Sequence, residues 1–342
     1  MASDKLSITN DSGQLVPAQA PVIVSASRST DIPGFYADWF QHRLEKGYSA
    51  WTNPFNGAKS YVSYAKTRLI VFWSKNPEPL LKPGGLLDYL KEQGINSYVQ
   101  FTLNDYVAEG LEKGVPPLGR RIDTFRKLVD RLGFGKVIWR FDPLMLTDTI
   151  DVGTLLAKAA FVGDSLKGYT EKMVFSYADI LAYRKVRNNL ELLSDVRCRE
   201  FSVREMTAFA DGLTRLNEGW GFTLATCAEK IDLDRFGIVH NKCIDDDLII
   251  NYFSNDRELM EHIGVEIVED GLFGRTVTKT GYKNKDKGQR LFCGCIASKD
   301  IGQYNTCIHL CEYCYANSSK DIAKRNYELH QRNPLAETIT GQ

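Results

Sequence analysis

Gly294-Cys295-Ile296-Ala297-Ser298-Lys299-Asp300-Ile301-Gly302-Gln303-Tyr304-Asn305-Thr306-Cys307-Ile308-His309-Leu310-Cys311-Glu312-Tyr313-Cys314-Tyr315 is the stretch on which the reading of this chain turns. Residues 294–299 read as a short strand, the polar loop after them carries three Cys, and the amphipathic segment 318–332 reads as a helix. Together they form one strand–loop–helix unit. Working back along the chain, short apolar or β-branched runs at 21–26, 48–52, 69–73, 97–102, 136–140, 172–176 and 221–226 alternate with amphipathic segments at 34–46, 86–93, 120–132, 152–166 and 203–218. Such alternation is the signature of βα units around a parallel sheet. Seven strands are one short of a closed barrel, and 294–299 supplies the eighth. The expected fold class is therefore α/β, a (β/α)8 TIM-like barrel closed by pairing of 294–299 with 21–26. Residues 1–19 are polar without clear periodicity and read as a flexible tail. Residues 20–342 read as a single domain, with 236–290 as an insert or cap and 291–332 as the closing strand, loop and helix.

Several candidate strands end in polar clusters. They are Ser25-Ala26-Ser27-Arg28-Ser29-Thr30-Asp31, Thr52-Asn53-Pro54-Phe55-Asn56, Trp73-Ser74-Lys75-Asn76-Pro77, Gln100-Phe101-Thr102-Leu103-Asn104, Trp139-Arg140-Phe141-Asp142-Pro143 and Thr226-Cys227-Ala228-Glu229. In a βα barrel the active site lies where the strands finish, so these clusters are expected to ring one mouth. Arg28 and Arg140 have planar donors suited to a carboxylate or phosphate. Asp31, Asp142 and Glu229 can hold an amine or ribose hydroxyls, or pair with those arginines.

Composition narrows the classes. At 342 residues and 43% hydrophobic content the chain can bury a full core, and its 43 Lys+Arg balance 43 Asp+Glu. Bulk charge thus points to no nucleic-acid or membrane partner. No apolar run approaches a membrane span and no secretion signal is visible, so a soluble cytoplasmic protein is expected. Five of the eight Cys fall between residues 293 and 314, which in a reducing compartment favours metal binding over disulfides.

Cys307, Cys311 and Cys314 follow a C-x3-C-x2-C spacing that fits three corners of an iron–sulfur cube and leaves one iron without a protein ligand. The spacing, with Tyr313 just before the third Cys, resembles the cluster loop of radical S-adenosylmethionine enzymes. The Tyr315 that follows is similar to the loops of spore photoproduct lyase and its relatives. This resemblance implies a 4Fe–4S cluster whose open iron binds S-adenosylmethionine, one-electron cleavage to a 5′-deoxyadenosyl radical, and an electron donor such as flavodoxin or ferredoxin. It implies cofactor-binding roles for Tyr313 and for Arg28, Asp31, Arg140, Asp142 and Glu229 at the strand ends. In that family the cluster loop follows the first strand; here it comes last, which implies a circularly permuted barrel. The family's Gly-Gly-Glu motif is absent at residues 25–31. The strings Ser25-Ala26-Ser27-Arg28-Ser29-Thr30-Asp31-Ile32-Pro33, Thr226-Cys227-Ala228-Glu229 and Asp300-Ile301-Gly302-Gln303-Tyr304-Asn305-Thr306-Cys307 also resemble an uncharacterised bacterial family of unknown function.

Cys227, Cys243, Cys293 and Cys295 make a second set of four, suited to an auxiliary cluster, or else Cys227 and Cys243 are small buried apolar residues. His309 can ligate iron or serve beside the cluster. Arg275, Lys279, Lys283, Lys285, Lys287 and Arg290, with Tyr282, form a basic stretch that can meet nucleic-acid phosphates, though such runs are usually solvated. Tyr61, Tyr64, Trp51, Trp73 and Trp139 can line a pocket or pack the core. Rival functions are a non-catalytic iron–sulfur electron carrier, a nucleic-acid-binding protein with structural zinc, and a cluster used as a Lewis acid.

Overall fold

The structure is a computed structural model that describes residues 4–53, 56–270, 274–279 and 285–341. Its centre is an eight-stranded sheet in the order Val239–His240, Thr223–Thr226, Lys172–Tyr177, Val137–Leu144, Asn96–Thr102, Leu69–Ser74, Ile23–Ala26, Lys299–Asp300. Every neighbouring pair is parallel. Parallel strands buried on both faces need nearly continuous apolar runs. Leu69–Ser74, Leu-Ile-Val-Phe-Trp-Ser, has that composition and is almost wholly buried.

Alternate residues serve two cores, because successive side chains leave a strand on opposite faces. On one face Val24, Ile70, Phe72, Val99, Trp139 and Phe175 pack with Phe40, Phe125, Leu155 and Phe209 from helices Ala37–Glu45, Leu118–Leu132, Val152–Leu166 and Val203–Asn217. On the other face Ile23, Leu69, Val71, Tyr98, Ile138 and Val174 pack against Ile244 and helix Asp246–Phe253. The segment expected as an insert therefore supplies the cover for one whole face of the sheet.

The last strand pairs in parallel with the first, Lys299 against Val24 and Asp300 against Ser25. Its position is a correction: the strand is Lys299–Asp300, not residues 294–299. The backbone just before it is already engaged, Ile296 N donating to Ile244 O at 3.1 Å and Gly294 N to Asn241 O at 3.4 Å. These two bonds tie together segments beside the two sheet edges. No ladder joins the edge strands themselves among the described residues, so the fold stands as a mixed α/β structure around a large parallel sheet.

Two further readings are corrected. Tyr48–Thr52 is a strand, but it pairs antiparallel with Lys59–Ser63 in a separate four-stranded sheet. Most of residues 1–19, read as a tail, lies in the antiparallel pair Asp4–Thr9 and Leu15–Ala20, and the second of these joins Lys59–Ser63. Val239–His240 takes the vacated place in the eight-stranded sheet. Among the described residues no helix is long and apolar enough to cross a membrane.

Candidate functional site

The cysteine loop lies over the C-terminal ends of the parallel strands, and each neighbouring strand end supplies a contact that holds it there. Just after Ile23–Ala26, Asp31 accepts from Gly34 N at 2.8 Å and Lys75 N at 2.8 Å, and its carboxylate meets His309 Nε2 at 2.7 Å. His309 Nδ1 faces Gly114 O at 3.1 Å, so both ring nitrogens are engaged and neither is left to ligate a metal. Glu312 N donates to Leu111 O at 3.0 Å, and Asn189 Nδ2 reaches Cys314 O at 3.5 Å. Inside the loop, Leu310 has φ 54°, a left-handed conformation that reverses the chain between Cys307 and Cys311. Such a conformation costs a non-glycine residue about 1–2 kcal/mol.

Behind the loop is a buried polar network that the sequence reading missed. Lys75 Nζ donates to Glu112 Oε1 at 2.7 Å and to Tyr313 Oη at 3.0 Å; Asn104 Nδ2 reaches Tyr313 Oη at 3.1 Å, and Tyr313 donates to Glu112. The Glu112 side chain is fully buried, and Arg121 lies 4.0 Å away. Burial opposes the Glu112 charge, but Lys75 and Arg121 outweigh it and hold the carboxyl below its ordinary range. Tyr313 is thus turned into the protein, where it anchors the loop. Glu112, in Glu109-Gly110-Leu111-Glu112-Lys113-Gly114, looks like an exposed turn from sequence, and no local signal marks its burial.

Cys307, Cys311 and Cys314 are mutual electrostatic neighbours, and burial is the leading reason that all three thiols sit above the ordinary range. Lys75 stands close enough to Cys311 and Cys314 to favour thiolate at both, and Lys185 adds to it at Cys314. Thiolates are soft ligands, which select iron–sulfur clusters, zinc or copper(I). The one trio of His, Cys, Asp or Glu ligand atoms lying within 4.8 Å of one another among the described residues is Asp245, Asp246 and Asp247, a helix start with no sulfur in it. No three sulfurs are as compact as a zinc tetrahedron, whose edge is about 3.8 Å for Zn–S bonds of about 2.3 Å. The Asn317 Oδ1 atom, buried beside the loop, has no hydrogen-bond partner.

The second cysteine set also comes together, on the sheet face covered by residues 244–253. Cys227 and Cys243 Sγ are 3.6 Å apart, and Cys243 N donates to Cys295 Sγ at 3.2 Å. Hydrogen bonding to Cys295 brings the Cys293 thiol down to about 7, while the hydrogen bond to Cys243 and burial push Cys227 well up. Arg140 donates to Gln100 Oε1 at 3.2 Å, to Cys243 Sγ at 3.0 Å and to Asp142, which also accepts from Ser176. The Asp142 carboxyl is held low: burial opposes its charge, but Arg140 and Ser176 prevail. Arg28 faces Cys295, its Nη2 buried without a partner. Trp73 lies under both guanidiniums, 5.0 Å from Arg28 and 5.3 Å from Arg140, and its buried Nε1 is also unpartnered. Glu229 accepts from Tyr177 N at 2.9 Å; burial, with Asp179 and Asp142 nearby, lifts it to about 8.

The remaining expectations separate. Trp139 is fully buried on the helix-covered face and Tyr64 bonds Ser49, so both are core residues; Trp51 and Tyr61 sit on the small sheet. Only Trp73 faces the arginines. Of the basic stretch, Lys279 pairs with Asp246 and Asp247, Lys285 donates to Leu291 O, and Arg290 meets Asp179. Tyr282 and Lys283, like Pro54 and Phe55 of one strand-end cluster, lie outside the described residues.

Comparison with curated proteins gives no match. A family profile, by contrast, matches residues 23–316, from the first strand of the large sheet to just past the cysteine loop, and so takes in both cysteine sets and the strand-end arginines. The chain belongs to that family, described as Domain of unknown function (DUF1848).

Proposed function

We propose that the protein is a radical S-adenosylmethionine enzyme, built on a permuted βα barrel, with Cys307, Cys311 and Cys314 holding a 4Fe–4S cluster. The observation that carries this reading is the placement of three thiols on one loop over the C-terminal ends of a parallel sheet, with no further Cys after Cys314 in the sequence and both His309 ring nitrogens engaged. When bound, the cluster and S-adenosylmethionine supply a reducing electron and a 5′-deoxyadenosyl radical, and the protein's part is placement and exclusion of water. Lys75 offsets the negative charge of the thiolates. Asp31 fixes the His309 imidazole and through it the turn at Leu310. Glu112 and Tyr313 pin the loop from behind. Asp142 and Glu229 stand at the neighbouring strand ends, where the amine and ribose groups of S-adenosylmethionine find matching partners, while Arg28 and Arg140 turn to the second cysteine set.

The test is anaerobic reconstitution, reduction, and addition of S-adenosylmethionine. The electron paramagnetic resonance spectrum is expected to change and 5′-deoxyadenosine to form, both effects vanishing in the Cys307→Ala/Cys311→Ala/Cys314→Ala variant. A reduced cluster whose spectrum ignores S-adenosylmethionine assigns the protein to electron transfer instead.

A further inference from the structure

We infer that Cys227, Cys243, Cys293 and Cys295 hold a second iron–sulfur cluster, seated against the inner face of the sheet between Arg28 and Arg140. The inference is independent of what the Cys307 loop does with S-adenosylmethionine. Its starting point is convergence: the four thiols come from the end of strand Thr223–Thr226, the turn after Val239–His240, and the approach to Lys299–Asp300, yet they form a continuous chain of contacts. Cys227 touches Cys243 at 3.6 Å, Cys243 and Cys295 are hydrogen bonded, and Cys295 is hydrogen bonded to Cys293. Cys243, Cys293 and Cys295 are buried and Cys227 is half-buried, so the group is shielded from solvent on most sides while one thiol stays reachable.

The donors around the sulfurs are those a metal-bound thiolate requires. Cys243 Sγ accepts from Arg140 Nη1 at 3.0 Å and from Asn241 Nδ2 at 3.0 Å; Cys295 Sγ accepts from Cys243 N at 3.2 Å and Ile244 N at 3.5 Å. Hydrogen bonds to cluster sulfurs are a principal control on reduction potential. The charges also match. A 4Fe–4S core of formal charge +2 with four thiolates carries about −2, and the site offers two guanidiniums, those of Arg28 and Arg140. Arg28 Nη2 and Trp73 Nε1, both buried on this face, lack acceptors in the protein alone, and inorganic sulfide can satisfy such donors.

Zinc is the rival occupant: the Cys227–Cys243 separation of 3.6 Å is close to its edge of about 3.8 Å, but no three of these sulfurs lie within 4.8 Å of one another, and zinc brings no sulfide to accept from Arg28 Nη2 and Trp73 Nε1. A disulfide joins sulfurs at about 2.05 Å, uses only two of the four, and leaves both arginines facing the remaining thiols.

The experiment measures iron, acid-labile sulfide and zinc in anaerobically purified full-length protein. Wild type should hold about eight irons per chain, and Cys307→Ala/Cys311→Ala/Cys314→Ala about half of that. Cys293→Ala/Cys295→Ala should lose the other half. Cys198→Ala serves as the control and should lose none, since Cys198 sits on a separate two-stranded sheet. Integration of the reduced wild-type signal needs no variant to fold, and two spins per chain are expected. One spin per chain, zinc in place of the second set of irons, a loop variant free of iron, or a Cys227–Cys243 disulfide in peptide maps would each overturn the inference. A failed S-adenosylmethionine response with iron content intact bears only on the proposed enzyme activity.

Discussion

Gly302 shows how closely one residue governs the site. A Cβ there would lie 1.7 Å from Ser27 Oγ and 2.5 Å from Ser29 Oγ, between the strand end and the cysteine loop. Its amide donates to Asp300 Oδ1 at 2.9 Å, and the other Asp300 oxygen accepts from Arg28 N at 2.8 Å and Ser25 Oγ at 3.0 Å. A single carboxylate therefore ties the last strand to the turn that carries Arg28. Gly302→Ala is expected to destabilise the protein by about 1–3 kcal/mol through overpacking. Thermal melting reads the stability, and reconstituted iron content reads the loop: both should fall, whereas Ala at the unencumbered Gly119 should change iron content little. An unchanged melting temperature in Gly302→Ala would mean that Ser27 and Ser29 yield freely. Asp300 was legible only as part of a motif string; its role needs the parallel pairing with Ser25, which no local pattern encodes.

At the scale of elements, the helices were the most readable because amphipathic periodicity and caps are local. Helix Val203–Asn217 begins with a capping box, Glu205 N donating to Ser202 Oγ at 3.3 Å and Ser202 N to Glu205 Oε2 at 3.0 Å. Hydrogen bonds from Arg199 and then Ser202 bring the Glu205 carboxyl down to about 2 from an ordinary 4.5. A carboxyl lowered by folding contributes stability that is complete above about pH 4.5 and is lost as the pH falls toward 2. Ser202→Ala should cost about 1 kcal/mol, and Glu205→Gln should flatten the acid limb of the stability profile in that window. Denaturant titrations across pH 2–6 test both; a Glu205→Gln profile parallel to wild type would sink the assignment. Strands were less secure. Tyr48–Thr52 has the same apolar, β-branched character as a central strand, and only the Asn56-Gly57 turn after it hints at a hairpin. Likewise Leu6 and Ile8 alternate with polar residues ahead of Gly13, whose φ of 78° closes the first hairpin. Val239–His240 is two exposed residues long and carries no signal. The cysteine groups divide in the same way, three thiols on one loop being visible as spacing while the meeting of Cys243 with Cys227 and Cys295 depends on the sheet order.

Across the whole molecule, the first and last segments are fastened to each other around Arg43. Its buried guanidinium donates to Tyr48 O at 3.0 Å, Asp11 Oδ2 at 2.9 Å and Leu335 O at 3.3 Å. Glu337 Oε1 accepts from Asp11 N at 2.9 Å and from Tyr48 Oη at 2.7 Å, and Ala50 N donates to Glu337 O at 2.8 Å. Neighbouring chain ends are what permits a permuted order of the same elements. Arg43→Ala removes a charged donor from two backbone carbonyls and is expected to cost about 2–3 kcal/mol. Hydrogen exchange should then quicken together in residues 15–20, 48–52 and 335–340. Quickening confined to one of these segments would show that they are held separately.

The pairing of Lys299–Asp300 with Ile23–Ala26 also sets an order of events at the ribosome. The partner of the first sheet strand is made some 270 residues later, which at about 5–20 residues per second is a delay of roughly 14–55 s. Throughout that interval one side of Ile23–Ala26 offers unpaired backbone groups, the kind of edge that recruits other strands. Both groups of thiols are likewise incomplete until Cys295 and Cys314 have emerged, long after most of the sheet has been made. A growing cell that makes much of this chain must therefore shield an open edge well before either group of thiols is complete.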